Sequence, residues 1–150
     1  MARNLQVVGW REWVSFPQIG IKKIKAKIDT GARTSALHAF DIQEFKQGTQ
    51  RFVQFKVHPL QRNSQKTVTV RAKVAEIRRI KDSGGNVTER PVIVTDLQIG
   101  ESVFPIELTL INRDEMGFRL LLGRSAVKNM FLVDSGRSYL KSKRGSKEVS

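Results

Sequence analysis

The chain has 150 residues, enough for one domain with a real core, and carries 27 Lys and Arg against 14 Asp and Glu, a formal net charge of +13. It has no cysteine, which excludes disulfides, thiol nucleophiles and Cys-based zinc sites, and its apolar runs fall far short of the roughly 20 residues of a membrane helix. With 39% hydrophobic and 27% charged residues, and no apolar export segment at its start, it reads as a globular, cytoplasmic domain without membrane contact.

Alternation of apolar and polar residues dominates the chain. It predicts strands over Val7–Val14 and Ile21–Ile28, the second with Ile24, Ala26 and Ile28 on one face and Lys23, Lys25 and Lys27 on the other. Trp10 and Trp13 in the first are read as packing residues. Further strands are predicted over Phe40–Phe45, Val53–Val57, Val68–Val74, Ala75–Ile80, Val87–Val94 and Val103–Ile111. Turn signals separate them at Phe16-Pro17, Gln47-Gly48, His58-Pro59, Ser83-Gly84-Gly85-Asn86 and Gly100. One short helix is predicted over Arg124–Met130, where Ala126, Val127 and Met130 share helical spacing. Many short strands with one late helix predict a mainly β, closed barrel. Residues 1–136 are read as this single domain, and 137–150, with Arg137, Lys141, Lys143, Arg144 and Lys147 among Gly and Ser, as a basic, flexible tail.

The segment that carries chemistry is Ile28-Asp29-Thr30-Gly31-Ala32-Arg33-Thr34-Ser35-Ala36-Leu37, a strand that runs straight into Asp-Thr-Gly-Ala. About 90 residues on, Leu120-Leu121-Leu122-Gly123-Arg124 leads into the predicted helix. Asp, Thr and Gly also favour ordinary turns, so the first segment alone is a weak signal and the pair a more specific one. Together they resemble the retropepsin-like aspartic proteases. Gly9–Trp13, Ile24–Lys27 and Asn112–Arg119 are similar to a bacterial group within that fold labelled ATP-dependent zinc proteases, and the resemblance covers roughly residues 7–140.

The resemblance implies a retropepsin-like (acid protease) barrel and peptide hydrolysis. Two carboxyls a few Å apart share one proton, so that one activates water while the other polarises the scissile carbonyl. One Asp-Thr-Gly supplies one carboxyl, so Asp29 is expected to meet its mate across a homodimer axis. Thr30 and Gly31 would hold the pair, and Leu122, Gly123 and Arg124 would buttress the turn. A flap is expected at Gly84 and Gly85, flanked by Arg79 and Arg90, which with Ala32 and Arg33 would line the substrate. Asp134-Ser135-Gly136 matches the second turn of two-lobed relatives of this fold, but too little chain follows for a second lobe, and it is read as a turn after the last strand.

Two alternatives stay open: a non-catalytic binding or adaptor module for an acidic partner, and a zinc-dependent protease as the group's label states. His38 and His58 are the only histidines, in no close-spaced ligand pair, and no phosphate-binding Gly-rich loop is present, so no metal and no cofactor are expected. The arginines near the motifs are either solvated strand ends or an electropositive cleft for acidic peptide, since Arg binds carboxylates in a fork. The charge is spread evenly, which admits nucleic acid as a partner, but the phenylalanines alternate like core residues rather than forming stacking platforms.

Overall fold

Strand β3 (Ile21–Asp29) sets the architecture. Its Ile24 and Ala26 are fully buried and Ile28 nearly so, while Lys23, Lys25 and Lys27 face outward, as alternation requires of a half-buried strand. The computed structural model describes residues 5–60, 66–81, 83–112 and 117–142. The strands are β1 (Gln6–Gly9), β2 (Arg11–Phe16), β3, β4 (Ser35–His38), β5 (Phe40–Gln47), β6 (Gln50–Val57), β7 (Val68–Lys73), β8 (Glu76–Lys81), β9 (Val87–Ile99), β10 (Ser102–Ile111), β11 (Leu120–Gly123) and β12 (Phe131–Asp134). One helix, α1 (Arg124–Val127), lies between the last two.

The central sheet runs β10-β4-β11-β3-β2-β9, and β9 pairs back onto β10, closing a six-stranded barrel with β8 on its rim. Phe16, Leu37, Ile93, Leu97, Leu108, Leu110, Leu120 and Leu122 fill its interior, each apolar side chain contributing about 1.5–3 kcal/mol by leaving water. β5, β6 and β7 form a separate antiparallel sheet, and β1 and β12 a parallel pair. The chain is therefore mainly β with the retropepsin-like fold. No helix among the described residues is long and apolar enough to cross a membrane.

Three expectations are corrected. The strand expected over Val7–Val14 is two strands broken at Trp10, whose N–H leaves the ladder to donate to Arg137 O at 2.8 Å. The helix is a single turn, because Lys128 leaves the helical region (ψ 148°) and Asn129 takes φ 69°. Residues 137–142, assigned to the flexible tail by composition, are bound to the barrel. Tyr139 N–H donates to Arg11 O at 3.0 Å, and the backbone N–H groups of Leu140, Lys141 and Ser142 donate to the Glu12 carboxylate. Lys143, Arg144 and Lys147 lie outside the described residues.

Candidate functional site at the Asp29 turn

β11 lies between β3 and β4, parallel to the first and antiparallel to the second, so Gly123 comes level with Asp29. At the end of β3 the Asp29 side chain turns back on its own loop, where Oδ1 accepts the Gly31 N–H at 3.1 Å while Ala32 N–H donates to Asp29 O at 3.1 Å. The loop is then clamped from β11 and α1. Arg124 N–H donates to Ala32 O at 2.8 Å, Ser125 N–H to Arg33 O at 3.1 Å and Ser125 Oγ to the same carbonyl at 2.6 Å. Gly123 N–H donates to the buried Ser35 hydroxyl at 3.0 Å. The Arg124 guanidinium spans the outside of the loop, its Nη1 3.3 Å from Thr30 O and 3.4 Å from Gly31 O.

The structure thus brings Asp29, Thr30, Gly31, Ala32, Arg33, Leu122, Gly123 and Arg124 into one knot. Asp29 is half-buried, Thr30, Gly31, Arg33 and Arg124 are exposed, and Leu122 is in the core. Arg79, Gly84, Gly85 and Arg90 sit on another element, the β8–β9 hairpin. Gly85 takes φ 89° at its tip, Arg79 pairs in register with Glu89, and Arg90 with Arg78. Arg78 is bound by Glu76 and Glu107 at 3.0 Å each, and those bonds hold its guanidinium pKa above the ordinary value. Ser35, part of the extended Asp-Thr-Gly-Ala pattern, and Ser125, which the sequence patterns did not single out, are the side chains that lock the turn.

The turn has a structural counterpart. β12 runs parallel to β1 and sets Gly9 level with Asp134, whose Oδ1 accepts the Gly136 N–H at 3.0 Å. Trp10 N–H donates to Arg137 O, three residues beyond that Asp, as Arg124 N–H donates to Ala32 O, three residues beyond Asp29. The second Asp-x-Gly is a turn after the last strand, built like the first. Zinc finds no ligand set here. No three His, Asp or Glu come together among the described residues, His38 is 5% exposed, and His58 Nδ1 faces Lys66 O and Thr67 Oγ1.

Comparison with known proteins gives this geometry its setting. The chain is 42% identical to a probable alpha-L-glutamate ligase of Shewanella pealeana over 99% of its own length and 32% of that protein's. It is 46% identical to one of Desulfotalea psychrophila over 86% of this chain and 28% of the relative, and 44% identical to one of Parasynechococcus marenigrum over 93% and 30%. The chain therefore spans about a third of the length of the curated relatives it matches. A crystal structure of the Legionella pneumophila protein Lpg0085, of unknown function, superposes with a TM-score of 0.76 over 91% of this chain and 98% of that one, at 24% identity, and shares the fold.

These names correct the functional expectation. Relatives matching almost the whole chain are called ligases, not peptidases, so the reading of Asp29 and a symmetry mate as a peptide-cleaving dyad is overturned. The zinc-dependent protease falls with it. A family model described as the RimB-like retropepsin-like aspartic endopeptidase RimB matches residues 7–144; with that match over nearly all of its length, the chain belongs to the RimB-like family of retropepsin-like enzymes.

Proposed function

We propose that the chain works in α-L-glutamate ligation, where its Asp29 turn and basic surroundings hold the acidic peptide to which glutamate is joined. The observation that carries this reading is its 41–46% identity, over 86–99% of its length, to curated proteins named for that reaction. Electrostatics supports it. Every glutamate joined to a peptide adds a carboxylate, and a domain of charge +13 draws such a chain in from a distance. At the turn, Arg33 lends its carbonyl to Ser125 and has no ion pair among the described residues, so its guanidinium can take a carboxylate in a fork.

Fluorescence anisotropy with a labelled oligoglutamate tests this. Asp29→Asn keeps an oxygen for the Gly31 N–H but removes a negative charge beside the peptide. It should tighten binding about 2–5-fold at low salt, and Arg33→Ala should weaken it by a similar factor. Equal affinity for oligoglutamate and an oligoglutamine of the same length would sink the reading.

A further inference from the structure

Strand alternation places Lys23, Lys25 and Lys27 on the outer face of β3, in line with Asp29 at its end. β2 runs antiparallel beside it, with Arg11 level with Lys27 and Trp13 level with Lys25. The acid of β2, Glu12, points the other way and is fully buried. The face is therefore a ladder whose rungs carry cations and no carboxylate.

Aromatic rings lie against Arg11, Lys23 and Lys25. Lys23 Nζ lies 4.6 Å and Lys25 Nζ 5.3 Å from the Trp13 ring centroid. The Arg11 guanidinium lies between Trp10 at 4.7 Å and Tyr139 at 5.0 Å, with its Nε donating to Ser138 Oγ at 3.1 Å. Among the described residues Arg11, Lys25 and Lys27 meet no carboxylate. A ring positions a cation without cancelling its charge, and side chains ordered in advance lower the entropy cost of binding. Beyond Lys23 the face opens into a groove of about 340 Å³ lined by Trp13, Lys22, Lys23, Gln98, Lys141 and Ser142.

We propose that the outer face of β2 and β3 is a docking track for an extended acidic peptide, running from the Lys23 groove toward the Asp29 turn. This rests on the reading of that turn as the place where an acidic peptide is held, and adds a second, separate contact about 20 Å away at ~3.3 Å per residue. The register fits. Same-side side chains of an extended peptide recur every ~6.6 Å, the spacing of alternate lysines on β3, so alternate carboxylates meet successive lysines. A single-stranded nucleic acid would need successive open rings for its bases, whereas Trp10 and Tyr139 are already stacked on Arg11 and Trp13 carries Lys23 and Lys25.

The test compares oligoglutamates of about 4 and about 10 residues, the longer able to span from Asp29 past Lys23 at ~3.3 Å per residue. The whole chain should bind the longer one about 10-fold more tightly, several exposed charge pairs adding to the contact at the turn. Lys23→Glu/Lys25→Glu should abolish most of that gain and leave the short peptide's affinity unchanged; Lys25→Gln, milder and checked by its melting curve, should remove part of it. Equal binding of the two lengths, or a gain that survives the double substitution, overturns the track but not the turn. Failure of both peptides to bind overturns both readings. A single-stranded RNA of matching length that binds more tightly than the long oligoglutamate, and loses that affinity in the double variant, overturns the peptide as occupant.

Discussion

Gly123→Ala should cost the protein about 3 kcal/mol or more, because the new methyl has nowhere to go. A Cβ at this position would lie 2.5 Å from Thr34 O, 2.6 Å from Thr34 C and 2.8 Å from Arg33 C, all backbone atoms. A flexible side chain can step aside from such an intrusion; the backbone cannot, since residues 32–35 are fixed by the bonds from Arg124 N, Ser125 N and Ser125 Oγ and by the Gly123 bond to Ser35. Relief would require β11 to move from between β3 and β4, breaking bonds worth about 1 kcal/mol each and opening the barrel wall over Leu120 and Leu122. For a chain of this length the melting temperature should fall by roughly 6–12 °C. Thermal unfolding followed by circular dichroism measures it. Gly85→Ala is the contrasting substitution: its Cβ meets nothing within 4 Å, and only its φ of 89° is strained, at about 1 kcal/mol. If both variants melt alike, the close approach of Gly123 to the turn does not bear on stability.

The crowding at Gly123 also shows where the sequence was legible and where it was not. β3 could be read because one of its faces is buried and the other wet, so Ile24, Ala26 and Ile28 alternate with lysines. β11 could not be read that way. It has strands on both sides, and Leu120, Leu121 and Leu122 run together without alternation. β4, four residues long, is likewise too short to show a period. The elements of the Asp29 turn were legible as a pattern of residue types, since Asp and Gly there encode a backbone shape. What that shape does chemically was not. The same Asx-bonded turn, facing a glycine on a parallel strand, recurs at Asp134, where it closes the last strand. A motif that specifies a turn can be kept in proteins that run different reactions, so function does not follow from fold or turn alone.

Glu12 enters the sequence reading only as part of Gly9–Trp13, with no role of its own, yet Glu12→Gln should be nearly as damaging as Glu12→Ala. Its carboxylate is fully buried inside alternating strand residues, and apart from Gly9 its partners lie more than a hundred positions away in sequence, so no local pattern announces its role. Oε2 accepts Gly9 N–H at 2.7 Å and Leu140 N–H at 2.8 Å, while Oε1 accepts Lys141 N–H and Ser142 N–H at 3.0 Å and Ser142 Oγ at 2.8 Å. Both oxygens act as acceptors, on a side chain that is itself fully out of solvent. An amide supplies one oxygen and turns an NH₂ group toward the other donors, so Gln leaves N–H groups facing N–H groups. Each buried donor left unsatisfied costs about 1–3 kcal/mol, which puts either substitution at roughly 3–5 kcal/mol. The loss should be local first. Residues 139–142 cover the open edge of β2, through Tyr139 N–H to Arg11 O and Trp13 N–H to Ser142 Oγ at 2.8 Å, and Glu12 is what holds them there. Hydrogen exchange should therefore show the amides of Tyr139, Leu140, Lys141 and Ser142 losing protection together with that of Trp13, while Ile24, Ala26 and Ile28 in β3 stay protected. If those segment amides exchange as slowly in Glu12→Gln as in the unaltered protein, the carboxylate is not the anchor. Release of the segment would also free the Tyr139 ring from Arg11, so the same variant should weaken binding of the longer oligoglutamate, linking a buried acid on the inner side of β2 to the charge its outer side presents.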